Sequence, residues 1–205
     1  MTVMKATKNN IMAAAQIVKQ GGLVVYPTET VYGLGCDPLN VQAVTRILEV
    51  KGNRNKPLPV LAASIVDAEK VAFVSPNGKK LAAKFWPGPL TMVFPKKPAL
   101  KDVVTFGLDS VGLRIPDNDV ALQLLSLCGG LLVGSSANRT GEEPPLRVQE
   151  MSDELKEMVD VVLDGGPTVQ GMPSTVVDLT QDKLRILREG PISLEAILDA
   201  LAFGD

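Results

Sequence analysis

The sequence predicts an α/β fold: a single-domain twisted mixed β-sheet with flanking helices. Three observations carry that expectation. Short apolar, β-branched runs alternate with helix-period segments along the whole chain. No repeat, low-complexity tract or linker divides residues 1–205 into separate units. Hydrophobic residues make up 45% of the chain and the mean hydropathy is +0.17, enough for a substantial core.

A first helix is expected over residues 11–20, capped by Asn10. Ile11, Ala14, Ala15 and Val18 share one face of it, and Gly21-Gly22 stops it. Leu23-Val24-Val25-Tyr26 then reads as a buried strand, which Pro27 ends because it lacks a backbone donor. Asn40 is placed to cap a second helix over residues 41–50. A second buried strand follows at 58–63, and Ser64 caps a short helix after it. Residues 77–85 are helical, closed by Pro87-Gly88-Pro89. Residues 90–94 are strand-like and 96–106 read as an exposed connection. The strand at 111–116 carries Arg114 near its end, where a cation is more often an ion-pair partner than a ligand contact. A helix from Asp117 or Asn118 to Cys128 leads to a strand at 131–134. Ser152 or Asp153 starts a short acidic helix, and a strand follows at 159–163. Residues 174–179 and 184–187 read as paired strands, and Ser193 caps the last helix.

Composition excludes several chemistries. The chain has no histidine, which rules out Ser-His-Asp and Cys-His catalysis and any His-ligated metal. Cys36 and Cys128 lack metal-ligand spacing and suit a reducing compartment. No apolar run is long enough to span a bilayer and no signal-peptide stretch opens the sequence, so no membrane partner and a cytoplasmic location are expected. Charge is uneven: residues 1–101 hold 14 Lys/Arg against 5 Asp/Glu, and the remainder 7 against 18. A basic half of this kind attracts phosphates, unless folding mixes the charges over one surface.

Two loops stand out. Thr28-Glu29-Thr30-Val31-Tyr32-Gly33-Leu34-Gly35 follows the first buried strand, and its glycines permit positive φ or a close backbone approach. Loops leaving strand ends in α/β sheets are common ligand sites, yet Thr28 or Thr30 could equally satisfy local backbone groups. Ser135-Ser136-Ala137-Asn138-Arg139-Thr140-Gly141 repeats the pattern after the 131–134 strand, so both loops can converge on one ligand. Lys51-Gly52-Asn53-Arg54-Asn55-Lys56-Pro57 places three cations at a helix C-terminus, as dipole partners or as an anion clamp.

Several separated motifs resemble the YrdC/YciO family. They are Tyr26-Pro27-Thr28-Glu29-Thr30-Val31-Tyr32-Gly33-Leu34-Gly35, Phe85-Trp86-Pro87-Gly88-Pro89-Leu90-Thr91 and Ser136-Ala137-Asn138. Ser174-Thr175-Val176-Val177-Asp178 and Leu187-Arg188-Glu189-Gly190 extend the match over residues 10–200. The resemblance implies a short YrdC-like domain with its ligand site in a basic concave groove. It also implies a nucleotidyltransferase that joins L-threonine, bicarbonate and ATP, with Mg²⁺ on the phosphates, into threonylcarbamoyl-AMP for tRNA modification. A tRNA or a tRNA-modifying transferase complex is the implied partner. Carried over by position, Thr30 and Arg114 hold threonine, and Lys51, Arg54, Ser136, Asn138, Ser174 and Arg188 line the nucleotide site. Lys51 and Arg54 are the implied catalytic cations. No metal-ligating residue is implied. The sequence departs from the family's Lys-x-Arg motif, because Asn53 occupies the arginine's place and Arg54 comes one residue late. Two other readings stay open: a YciO-like paralogue with a different substrate, and a non-catalytic RNA- or nucleotide-binding module. Only eight aromatic residues are available to the latter for base stacking.

Overall fold

The computed structural model describes residues 2–52, 55–181 and 183–202. The elements run β1 (Thr2–Lys5), α1 (Lys8–Lys19), β2 (Val24–Pro27), β3 (Tyr32–Gly35), α2 (Val41–Lys51), β4 (Val60–Ala62), α3 (Ile65–Ala68) and α4 (Pro76–Phe85). They continue through β5 (Leu90–Pro95), α5 (Asp102–Thr105), β6 (Ser110–Arg114), α6 (Asp119–Leu127), β7 (Leu131–Val133) and β8 (Ser135–Ser136). A 3-10 turn at Val148–Glu150, α7 (Asp153–Met158), β9 (Val161–Asp164), β10 (Thr175–Asp178), β11 (Arg185–Arg188) and α8 (Leu194–Ala202) follow.

The mixed α/β class is as expected, but the strands form two mixed sheets rather than one. The first has the order β1-β9-β2-β3-β8, and the second β11-β10-β5-β6-β4-β7. In the first, β1, β9 and β2 are parallel, and β3 and β8 add antiparallel pairs. In the second, the parallel pairs β10–β5 and β6–β4 alternate with antiparallel ones.

Alternation along each strand explains how the sheets bury both faces. Leu23 and Val25 enter one apolar core; Val24 and Tyr26 enter the other. Val162 likewise opposes Val161 and Leu163. The smaller core is sealed by Ile11, Ala14, Ala15 and Val18 of α1 against Ala121, Leu124 and Leu125 of α6. Fully burying one large aliphatic side chain in such a core contributes roughly 1.5–3 kcal/mol. The sheets are joined covalently where β7 of the second runs straight into β8 of the first through Gly134. A Cβ on Gly134 would lie 2.5 Å from Leu61 Cγ, so only glycine lets the chain cross there.

Side-chain caps set most helix starts where the sequence places them. Asn40, Ser64, Asn118 and Ser152 each accept a backbone N–H from the first turn of their helix. The first helix is a correction. Thr7 is its cap, and Asn10 lies inside it, donating to the Lys5 carbonyl at 2.8 Å. The edge strand β1, too polar and exposed to read as a strand, pairs in parallel with β9. The connection over residues 96–106 is not fully exposed either, because α5 folds back to bury Leu100, Val104 and Thr105 while Lys96 pairs with Asp102.

Candidate active site

The first glycine-rich stretch is a β-hairpin. β2 and β3 pair from Val24↔Gly35 to Pro27↔Tyr32, leaving residues 28–31 as the turn. Thr28 Oγ1 accepts from the Thr30 N–H at 3.2 Å and the Val31 N–H at 3.3 Å, and donates to the Val31 carbonyl at 2.7 Å. Thr28 is therefore a turn-former. Its single hydroxyl proton is committed to Val31, so in the 2.9 Å contact between the two threonine hydroxyls Thr30 is the donor. Gly33 and Gly35 are strand residues, and neither has the positive φ that the sequence allowed. They are small because the buried Tyr26 ring crosses them: a Cβ on Gly35 would lie 2.6 Å from the Val133 carbonyl oxygen and 2.8 Å from Tyr26 Cε1. The close-approach reading is the one realised.

The second hydroxyl-rich segment joins the first. β8 pairs with β3, Gly33 opposite Ser136 and Leu34 opposite Ser135. Between this corner and the second sheet lies a cavity of about 530 Å³ whose polar lining includes Thr30, Lys56, Arg114, Ser136, Ser174 and Arg188. Small-molecule sites fall in roughly the 300–1,000 Å³ range.

Two arginines face the cavity from strand ends. Arg114 closes β6, and its Nη1 lies 2.5 Å from Glu29 Oε1 in an ion pair of which both side chains are buried. Arg188 closes β11 and donates from Nε and Nη2 to the Ser174 carbonyl at 3.0 and 2.8 Å. Its Nη2 also reaches Ser174 Oγ at 3.1 Å, and that hydroxyl contacts Thr91 Oγ1 at 2.8 Å. Burial, then the positive charge of Arg114, hold the Arg188 guanidinium below its ordinary pKa. Two cations that repel one another across a concave, partly dry surface favour an anion between them.

Lys51 and Asn138 stand behind the lining. Lys51 is the last residue of α2, almost fully buried, and Nζ donates to the carbonyls of Ser136 at 2.9 Å and Asn138 at 2.5 Å. Asn138 Nδ2 in turn holds the carbonyls of Arg139 at 3.0 Å and Glu142 at 2.5 Å. Gly52, with φ +66°, provides the sharp turn expected after the helix. Arg54 lies outside the described residues, whereas Lys56 reaches the cavity. Sequence reasoning missed Glu29 and Thr91. Glu29 carried a usable signal, since a carboxylate set in an otherwise apolar and hydroxyl-rich stretch needs a buried partner. Among the described residues, no group of three or more His, Cys, Asp or Glu could hold a metal, and no helix is long and apolar enough to cross a membrane.

Two mixed sheets closing on a hydroxyl- and arginine-lined cavity define a mixed α/β protein with a candidate small-molecule site. The chain belongs to the Sua5/YciO/YrdC family, whose model, described as "Telomere recombination", matches residues 16–190. It is 40% identical over 189 residues to the threonylcarbamoyl-AMP synthase of Pyrococcus abyssi, covering 91% of this chain and 56% of that one. The chain thus spans little more than half the length of that relative. A crystal structure of Pyrococcus abyssi Sua5 complexed with L-threonine superposes with a TM-score of 0.93 at 37% identity, over 98% of this chain and 61% of that one. Escherichia coli YciO superposes with a TM-score of 0.84 at 26% identity, over 93% of this chain and 94% of its own.

Proposed function

We propose that the protein is a transferase that makes threonylcarbamoyl-AMP from L-threonine, bicarbonate and ATP, releasing pyrophosphate. The observation that carries the reading is the convergence of Arg114, Arg188, Thr30, Ser136 and Ser174 on one cavity, in a chain whose relative of twice-matched sequence and structure is described with that activity and that amino acid. Bicarbonate takes up a proton and loses water to give carbon dioxide, and the neutral threonine amine bonds to its carbon and releases a proton to give a carbamate. A carbamate oxygen then bonds to the α-phosphorus of ATP as the bond from that phosphorus to the bridging oxygen of pyrophosphate breaks. No protein nucleophile is needed, which suits a chain without histidine. Orientation and fixed positive charge supply the catalysis.

In this reading Arg114 binds the threonine carboxylate and Thr30 its side of the pocket. Ser136, Ser174 and Arg188 receive the nucleotide, with Lys51 and Asn138 shaping the 136–138 segment from behind. Lys51 and Arg54 are the proposed catalytic cations, and Lys56 lines the cavity. A Mg²⁺ ion carried on the phosphates would offset charge on the leaving pyrophosphate. The cavity's described lining offers it hydroxyls and no carboxylate, which fits an ion held by phosphate oxygens and water. The product is an activated carbamoyl donor, so its consumer is a tRNA-modifying transferase, and the setting is the cytoplasm.

The test is pyrophosphate release from ATP with each component omitted in turn. Release that requires L-threonine, bicarbonate and a divalent cation together is expected. Equal release without threonine would refute the reading. The full-length match to YciO favours one second reading, a paralogue acting on another amine; release restored by a different amino acid would identify it.

A further inference from the structure

One row of residues crosses the second sheet under the cavity. The register sets Val176 level with both Arg188 and Thr91, and Leu61 level with Arg114. Met92 opposes Leu113 in an antiparallel pair, so the preceding Thr91 opposes Arg114. The row therefore reads Arg188, Val176, Thr91, Arg114 and Leu61 on β11, β10, β5, β6 and β4, and all five line the cavity. Leu90, Met92 and Phe94 turn the other face of β5 into the core. Thr91 is one strand from Arg114 and two from Arg188. Because Val176 is apolar, Thr91 carries the only polar side chain of this row between the two arginines.

The Thr91 hydroxyl has a proton to give. Ser174 Oγ receives Arg188 Nη2 at 3.1 Å and lies 2.8 Å from Thr91 Oγ1. Two hydroxyls hold two protons, and their mutual contact uses one. Neither hydroxyl has a further acceptor among the described residues. Donation from a guanidinium polarises the Ser174 O–H, which makes the serine the donor to the threonine. The chain of donors then runs from Arg188 through Ser174 to Thr91, and the unspent proton is on Thr91 Oγ1. A polarised donor set between two cations favours an anionic acceptor.

We propose that Thr91 is a catalytic residue whose hydroxyl donates to the carbamate formed on the threonine amine. The proposal rests on the reading of the cavity as the site of threonylcarbamoyl-AMP synthesis. With the amino-acid carboxylate at Arg114 and the nucleotide at Arg188, the carbamate is the anion that lies between them. One carbamate oxygen bonds to the α-phosphorus, and Thr91 holds the other, which becomes the carbonyl oxygen of the product. The hydroxyl keeps its proton throughout, and its contribution is orientation of the attacking oxygen.

The test measures pyrophosphate release at saturating L-threonine, bicarbonate and ATP on wild type, Thr91→Val and Thr91→Ser. Titration calorimetry gives the affinity of each for threonine alone and for ATP alone. Thr91→Val keeps the shape and removes the hydroxyl. Its release rate should fall about ten- to a hundredfold, the size expected for losing a hydrogen bond to a charged group, while both affinities stay within about twofold. Thr91→Ser keeps the hydroxyl and should recover most of the rate. If Thr91→Val does not fold, Thr91→Ala removes the same hydroxyl without added volume and should show the same split. A hydroxyl-free variant working at the wild-type rate would overturn the proposal. So would one whose affinities fall as far as its rate, because the hydroxyl would then serve a substrate before the carbamate forms. Thr91→Ser as slow as the hydroxyl-free variant would overturn it too, leaving the methyl as the group that matters. Wild type releasing no pyrophosphate would overturn the reading of the cavity and the proposal with it, whereas threonine-dependent release by wild type confines any failure to Thr91.

Discussion

Gly35 shows how little room a residue in the hairpin has. Its absent Cβ is replaced by the Tyr26 ring on one side and the Val133 carbonyl on the other, the latter 2.6 Å from where a methyl carbon would stand. Gly35→Ala should therefore cost roughly 1–3 kcal/mol as overpacking forces the ring or the strand aside. Gly33→Ala, whose Cβ would meet Tyr26 Cζ at 3.1 Å, should cost less. Thermal melts check the order, and equal melting temperatures for the two variants would contradict the account. Arg114 belongs to the same scale. Arg114→Ala strands Glu29 as an unpaired buried charge and should cost about 3–5 kcal/mol of stability as well as threonine binding. Arg114→Lys keeps the charge and should recover stability, yet not the two-pronged grip on a carboxylate. Melting and threonine titration on both variants separate these losses.

At the scale of elements, Lys51 ties the end of α2 to the segment after β8. Lys51→Met keeps the length but leaves the Ser136 and Asn138 carbonyls without that donor, a loss of about 1.5–3 kcal/mol for bonds to a charged group. Amide exchange should rise in residues 136–140 more than in β2; uniform protection in the variant would count against the tie. At the other edge, β1 docks on β9 partly through Asp164. Lys5, then the Gly166 N–H, hold its carboxyl below the ordinary 3.8, against a smaller opposing effect of burial. Because the folded-state pKa is depressed, this contribution is present above about pH 3.8 and is lost as pH falls through the folded value. Wild type should melt higher than Asp164→Asn near pH 7, and the gap should close as the pH drops below about 4. A gap that persisted in acid would show that Asp164 acts through something other than its charge. Caps and strands with strong local chemistry were legible from the sequence: Asn40, Ser64, Asn118 and Ser152 announce their helices. β1 was not, because an exposed edge strand is specified by its partner and not by its own pattern. For the same reason the division into two sheets was hidden, as it turns on which strand neighbours which.

At the scale of the whole molecule, residues distant in sequence form one wall. Thr30, Ser136, Ser174 and Arg188 were legible as members of motifs and Arg114 as a cation near a strand end, and the fold brings all five to a single cavity. Glu29 was the residue that motif reading passed over, since its importance lies in a contact with Arg114 across 85 positions of chain. In the proposed function this cavity joins an amino acid, a one-carbon unit and a nucleotide into one product. The most direct measurement is mass spectrometry of the reaction mixture with ¹³C-bicarbonate. The account predicts a threonylcarbamoyl adenylate heavier by the label and dependent on L-threonine and ATP. An adenylate without threonine, or a product without the labelled carbon, would contradict it.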